Sequence, residues 1–158
     1  MVIFKNGKLS KKEKVIIESI LIECNDPYGD AYITKSNLRL FIRENINLVY
    51  EGLTKGDKIY YEDNEGFIFV CGFSDKASRK YLKILTKDDN ATNKLLKSLQ
   101  WNIKQDLYIK LKKNNPTRRV LERNGFHFAG DRGREILLCR KYIPSRPIRY
   151  KEIKEDNE

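Results

Sequence analysis

An alternating strand that runs into an asparagine–proline turn constrains this chain more than any other stretch. Leu107, Ile109 and Leu111 alternate with Tyr108, Lys110 and Lys112, the period-two pattern of a strand with one buried and one solvated face. Asn115 is a suitable N-cap and Pro116 is pre-set for a first helical position, so a short helix is predicted next. Val120 and Leu121 face its core side, and Asn124-Gly125 supplies a left-handed stop. Phe126 and Phe128 then flank His127, which puts the imidazole on the face opposite both rings. A Gly130-Asp131-Arg132-Gly133 turn reverses the chain into a second apolar run, Ile136 to Tyr142.

The remaining elements follow from caps and turns. Val2 to Phe4 predicts a short edge strand ended by Asn6-Gly7. Ser10 with Glu13 three residues on predicts a capping box, opening a helix whose turn spacing continues through Val15, Ile16, Ile20 and Cys24 or Glu23. Asp26-Pro27-Tyr28-Gly29-Asp30 breaks it, and a loop through Tyr32 leads to a second cap at Ser36. Leu38, Phe41, Ile42, Ile46 and Val49 then form a helical stripe down to Gly52. Three strands are predicted at Lys58 to Glu62, Phe67 to Phe73 and Arg79 to Leu85, the first two joined through Asp63-Asn64-Glu65-Gly66. A helix begins at Asp89 or Asn90 and runs through Leu95, Leu96 and Leu99 to Trp101. The order is βααβββαβαββ: an α/β (α+β) domain with a mixed, mostly antiparallel sheet and helices on both faces. It spans residues 1–143, followed by a tail, 144–158, that is first basic and then acidic.

From Val120 to Phe126 the chain reads VLERNGF. A strand, an asparagine, this short helix, Gly-Phe and a closing hairpin together resemble the C-terminal half of the Gcn5-related N-acetyltransferases (GNAT), where the helix text is close to LYEKxGF. The resemblance implies a sheet that splays between Arg79–Leu85 and Leu107–Leu111 as neighbouring parallel strands, with pantetheine in the gap. It also implies acyl transfer from acetyl-CoA to an amine. In that family a Gln/Arg-x-x-Gly-x-Gly/Ala loop follows the fourth strand, and its N–H groups hold the coenzyme A pyrophosphate. Anchoring Leu95-Leu96 on the paired leucines of the next helix puts Lys87 at the Gln/Arg position, Asn90 at the first glycine and Thr92 at the Gly/Ala. The implied cofactor contacts are Ile84, Leu85, Thr86, Lys87, the N–H groups from Asp89 to Asn93, and Asn114 or Asn115 as the family's asparagine. Neither glycine is present here, and Asp88 and Asp89 add two carboxylates beside the expected pyrophosphate.

The family's proton-donating tyrosine falls on Leu121, which cannot donate. His127 is the only histidine, and an imidazole is the side chain most often used for general acid–base work. Glu62 and Glu65 border the hairpin where some family members keep a general base, and Tyr108 and Tyr81 are candidate donors. Three scattered cysteines and one histidine make no metal ligand set. Cys24, Cys71 and Cys139 each sit in an apolar run and read as buried small hydrophobes of a reducing, cytoplasmic compartment. No stretch approaches the roughly 20 apolar residues of a membrane helix.

The net charge of +10 is localised: between Leu107 and Lys151 stand thirteen Lys and Arg against three Asp and Glu, a difference equal to the whole excess. Arginine dominates there, at Arg118, Arg119, Arg123, Arg132 and Arg134 among others, and its planar fork matches phosphate. A second function class therefore stands beside the acyltransferase: a cofactor-free module of the same fold that docks DNA, RNA or an acidic protein on this face.

Overall fold

The structure is a computed structural model and describes residues 1–24, 38–73 and 78–143. Seven strands make one sheet: β1 (Ile3–Asn6), β2 (Lys58–Glu62), β3 (Gly66–Cys71), β4 (Lys80–Thr86), β5 (Leu107–Lys112), β6 (His127–Arg132) and β7 (Glu135–Arg140). Their spatial order is β1-β2-β3-β4-β5-β7-β6, and every neighbouring pair is antiparallel except β4 with β5. With α1 (Lys11–Glu23), α2 (Leu38–Thr54), α3 (Asp89–Asn102) and α4 (Arg118–Arg123), the element order is the βααβββαβαββ expected from the sequence.

Helices cover the sheet on both faces, because alternate strand residues feed two separate cores. Ile68, Val70, Leu82, Leu107, Ile109 and Leu111 pack under Leu95, Leu96 and Leu99 of α3 and Val120 and Leu121 of α4. Ile59, Tyr61, Phe67, Phe69 and Leu85 point the other way, against Ile17, Ile20 and Leu21 of α1 and Val49 and Leu53 of α2. The run Phe67 to Val70 is buried throughout, as a central strand flanked by two helix layers must be.

Local chemistry fixes most element ends. The Ser10 hydroxyl accepts from Glu13 N–H at 3.2 Å while Ser10 N–H donates to Glu13 Oε1 at 2.8 Å, completing the predicted capping box. Asn64 takes φ +64 in the β2–β3 turn. At Gly125, φ +89 turns the chain out of α4, and Phe126 N–H donates to Leu121 O at 3.1 Å.

Several expectations are corrected. Val15 is 61 % exposed, because the α1 stripe runs through Ile17, Ile20, Leu21 and Cys24, with Ile16 half-buried beside them. α3 begins at Asp89, as the sequence predicts, with Asp88 as its N-cap. Pro116 does not start α4; Asn115 Oδ1 accepts from Thr117 N–H at 2.9 Å in a tight turn, and the helix begins at Arg118. Phe126 is fully buried but Phe128 is 55 % exposed, since β6 is the outer strand of the sheet. The expected breaker Asp26–Asp30, Tyr32, the Ser36 cap and the tail 144–158 lie outside the described residues, as do the side chains of Phe41, Ile42 and Trp101.

Candidate functional site

β4 and β5 pair in parallel at only two positions, Lys80 with Leu107 and Tyr81 with Tyr108. Each strand is committed to its other neighbour further along: β4 stays on β3 as far as Thr86 opposite Gly66, and β5 stays on β7 as far as Lys112 opposite Glu135. The parallel pair therefore parts and opens toward both C-terminal ends. Gly66, at φ +146, allows β3 to pass close beside the end of β4, because a Cβ there would run into Leu85 O and Thr86.

Ile84, Leu85 and Thr86 line the β4 side of this opening, and α3 starts immediately beyond it. The Asp88 carboxylate accepts from Ala91 N–H at 2.8 Å. Thr92 is 2 % exposed; its hydroxyl is 3.1 Å from Asp88 O and 2.6 Å from the Thr86 hydroxyl. Lys87 Nζ meets Glu65 Oε2 at 2.7 Å, and Lys94 Nζ bridges Glu62 Oε2 at 2.7 Å and Glu65 Oε1 at 3.4 Å. The N-terminal ammonium closes on the other Glu62 oxygen. The first turn of α3 thus contains its own anion, and the cations around it are already matched.

These pairs have a pH signature. Lys94 holds the Glu62 carboxyl, and Lys87 the Glu65 carboxyl, below the ordinary value of 4.5. A depressed folded-state pKa contributes stability that is present above the unfolded value and is lost as pH falls through the folded one. Stability is therefore expected to fall as pH drops below about 4.5, and Glu62→Gln with Glu65→Gln should flatten that limb of a thermal-melt pH series. An unchanged acid limb in the double variant would show that other carboxylates set it.

Across β5 the picture differs. Asn114 is exposed, whereas Asn115 is buried and spent on Thr117 N–H. A cavity of about 400 Å³ is lined by Lys113, Asn114, Asn115, Pro116, Arg118, Arg119 and Glu122. Lys113 pairs with Asp131 at 3.0 Å, and Arg118 pairs with Glu122 at 3.5 Å and lies over the Phe128 ring. Arg132 and Arg134 stand at the β6–β7 turn, and Lys113 N–H donates to Arg134 O at 3.2 Å. Lys112, Lys113, Arg118, Arg119, Arg132 and Arg134 thus collect at the end of β5, while Arg123 lies at the far end of α4. There Asn124 Nδ2 donates to Asn93 Oδ1 at 2.9 Å, tying α4 to α3. Leu121, at the position of the family's tyrosine, is fully buried.

The proton-transfer candidates divide. Glu62 is buried among cations beside α3. Tyr108 and His127 share one face instead, two strands apart: Tyr81 pairs with Tyr108, Tyr108 with Cys139 and Cys139 with His127, one row across four strands. Directly paired residues project from the same face. A hydrogen bond with Cys139, together with burial, holds the Tyr108 hydroxyl above its ordinary pKa of 10.0. The Tyr81 and Tyr108 rings lie 5.9 Å apart, Arg79 sits 4.6 Å over Tyr108, and Lys110 Nζ sits 5.2 Å from Tyr81. Sequence reasoning missed this row, because only strand register reveals it.

No protein-family model and no curated protein matches the sequence. Solved structures do match. The PaiA N-acetyltransferase of Thermoplasma acidophilum, in complex with coenzyme A, aligns over 90 % of this chain and 99 % of its own with a TM-score of 0.65 and 15 % identity. PseH, the Campylobacter jejuni N-acetyltransferase in complex with acetyl coenzyme A, aligns over 89 % and 99 % at 0.54 and 13 %. Apo FdhC, a nucleotide-linked sugar GNAT, aligns over 99 % and 92 % at 0.58 and 14 %. The fold is the GNAT fold. Set against the GNAT arrangement expected from the sequence, the splay between β4 and β5 is present. The α3 loop does not suit a diphosphate, because Asp88 occupies the N–H that an anion would use and Glu65 holds Lys87. Among the described residues no helix is long and apolar enough to cross a membrane.

Proposed function

We propose that this protein is an N-acyltransferase that moves an acyl group from a coenzyme A thioester to an amine, with the pantetheine arm held between β4 and β5 and no diphosphate contact from the α3 loop. The observation that carries the reading is the parting of β4 and β5 after two paired positions, which leaves unpaired backbone on both edges of a gap. Strand edges of this kind are ready to bond an extended amide-bearing arm. A bound thioester would supply the activated acyl carbon. Ile84, Leu85 and Thr86 would line its path, with Asn90, Asn93 and Asn114 at the mouth. Tyr108, kept protonated, donates a proton, and His127, across Cys139 on the same face, accepts one from the attacking amine. Thiol release from acetyl-CoA with a panel of primary amines tests this. No release, with no thermal stabilisation by acetyl-pantetheine, would reject it.

The clustering of Arg132, Arg134 and Lys112 beside α4 favours a second activity, docking of DNA or RNA through phosphate. Arg132→Ala with Arg134→Ala should then flatten the log–log salt dependence of duplex binding by up to about two, while Lys11→Ala with Lys12→Ala should leave it unchanged. Equal weakening by both pairs would assign the cluster to solvation alone.

A further inference from the structure

We infer that the acceptor amine carries an anionic group, a phosphate or carboxylate, recognised by Arg79 and Lys110 over the Tyr81 and Tyr108 rings. The inference rests on the acyl-transfer reading and adds the chemical class of the second substrate. At the point where β4 and β5 part, α3 and α4 close one face of the sheet with Leu82, Leu107 and Ile109 beneath them. An acceptor must therefore approach from the other face, where Tyr81 and Tyr108 are only half-buried.

On that face the charges that rest on the two rings have one sign. Arg79, Lys83 and Lys110 are all exposed. Arg79 and Lys110 rest on the two tyrosine rings at 4.6 and 5.2 Å, and among the described residues neither has a carboxylate partner. The contrast with the α3 side is direct, since Lys87 and Lys94 there are both taken by glutamates. Lys141, near the row through its effect on Tyr108, is neutralised by Asp106 at 3.2 Å. A cationic amine with no compensating charge would be repelled from such a face. One whose anionic group sits between Arg79 and Lys110 would be oriented by it, and the rings would hold both cations in place meanwhile.

Glucosamine 6-phosphate against glucosamine, and an aspartyl dipeptide against its asparaginyl counterpart, are suitable matched probes. Thiol release should favour the anionic member of either pair by about fivefold in kcat/KM, the upper size of one exposed charge contact. Arg79→Ala with Lys110→Ala should bring that ratio toward one, and Arg79→Lys should restore part of it. A preference for the neutral member, or a ratio that survives the double substitution, overturns the inference. Calorimetric binding of the same probes keeps the two readings apart. Anionic probes that bind the parent protein and not the double variant support the surface even if no transfer occurs, in which case the acyltransferase reading alone fails. Absence of binding by every anionic probe overturns the inference whatever the enzyme does with the donor.

Discussion

Phe126→Ala is expected to lower folding stability by about 3–5 kcal/mol, the range for an aromatic removed from a packed core. The ring is fully buried in the cluster under α3 and α4, and its backbone is fixed by Gly125 in the left-handed region and by the bond to Leu121 O. Above it the Arg140 guanidinium lies 5.6 Å from the ring, with one buried nitrogen, Nη1, that no described residue accepts from. Removing the ring leaves a cavity and withdraws the π-face that this cation rests on. Single domains hold only about 5–15 kcal/mol in total, so much of the margin would go. A urea titration measures it, with Phe126→Leu as the milder comparison. A loss below about 1 kcal/mol would contradict the packing described.

Tyr108→Phe should cut kcat about 100-fold, the lower end of what one positioned proton donor contributes. The phenylalanine ring keeps the stacking surface for Arg79 and Tyr81, so KM should move far less than kcat. Stability should stay within about 0.5 kcal/mol of the parent, because the ring and its packing are kept. Parallel steady-state kinetics and denaturant melts separate the two effects. A kcat within about twofold of the parent would remove Tyr108 from proton transfer.

Element order was readable because each end carries its own chemistry: the Ser10 and Glu13 box, the Asp63 to Gly66 hairpin, the Asn124-Gly125 stop. The phase of α1 was not, since Val15, Ile16, Ile17, Ile20, Leu21 and Ile22 offer more aliphatic positions than one stripe can use, and only packing on β3 and β4 selects among them. Which of Asp88 and Asp89 caps α3 is likewise a one-residue question that two adjacent carboxylates leave open. For the site the limit is register. Tyr81, Tyr108, His127 and Cys139 are dispersed along the chain and meet only because four strands align them. The sealing of the α3 loop was half visible, as missing glycines and added carboxylates. Pairing of Lys87 with Glu65 needed the β2–β3 hairpin in its folded place.

The short seam between β4 and β5 bears on how rigid the molecule can be. Backbone pairing joins β1 to β4 with β5 to β7 at two residues a side, so the sheet behaves mechanically as two plates sharing a narrow hinge, with α3 bolted across it. A molecule lying in the gap would touch both plates at once and add a second crosslink to the one α3 supplies. Amide protection should then spread on binding into strands that never contact the ligand, and the protein would be stiffest only while loaded.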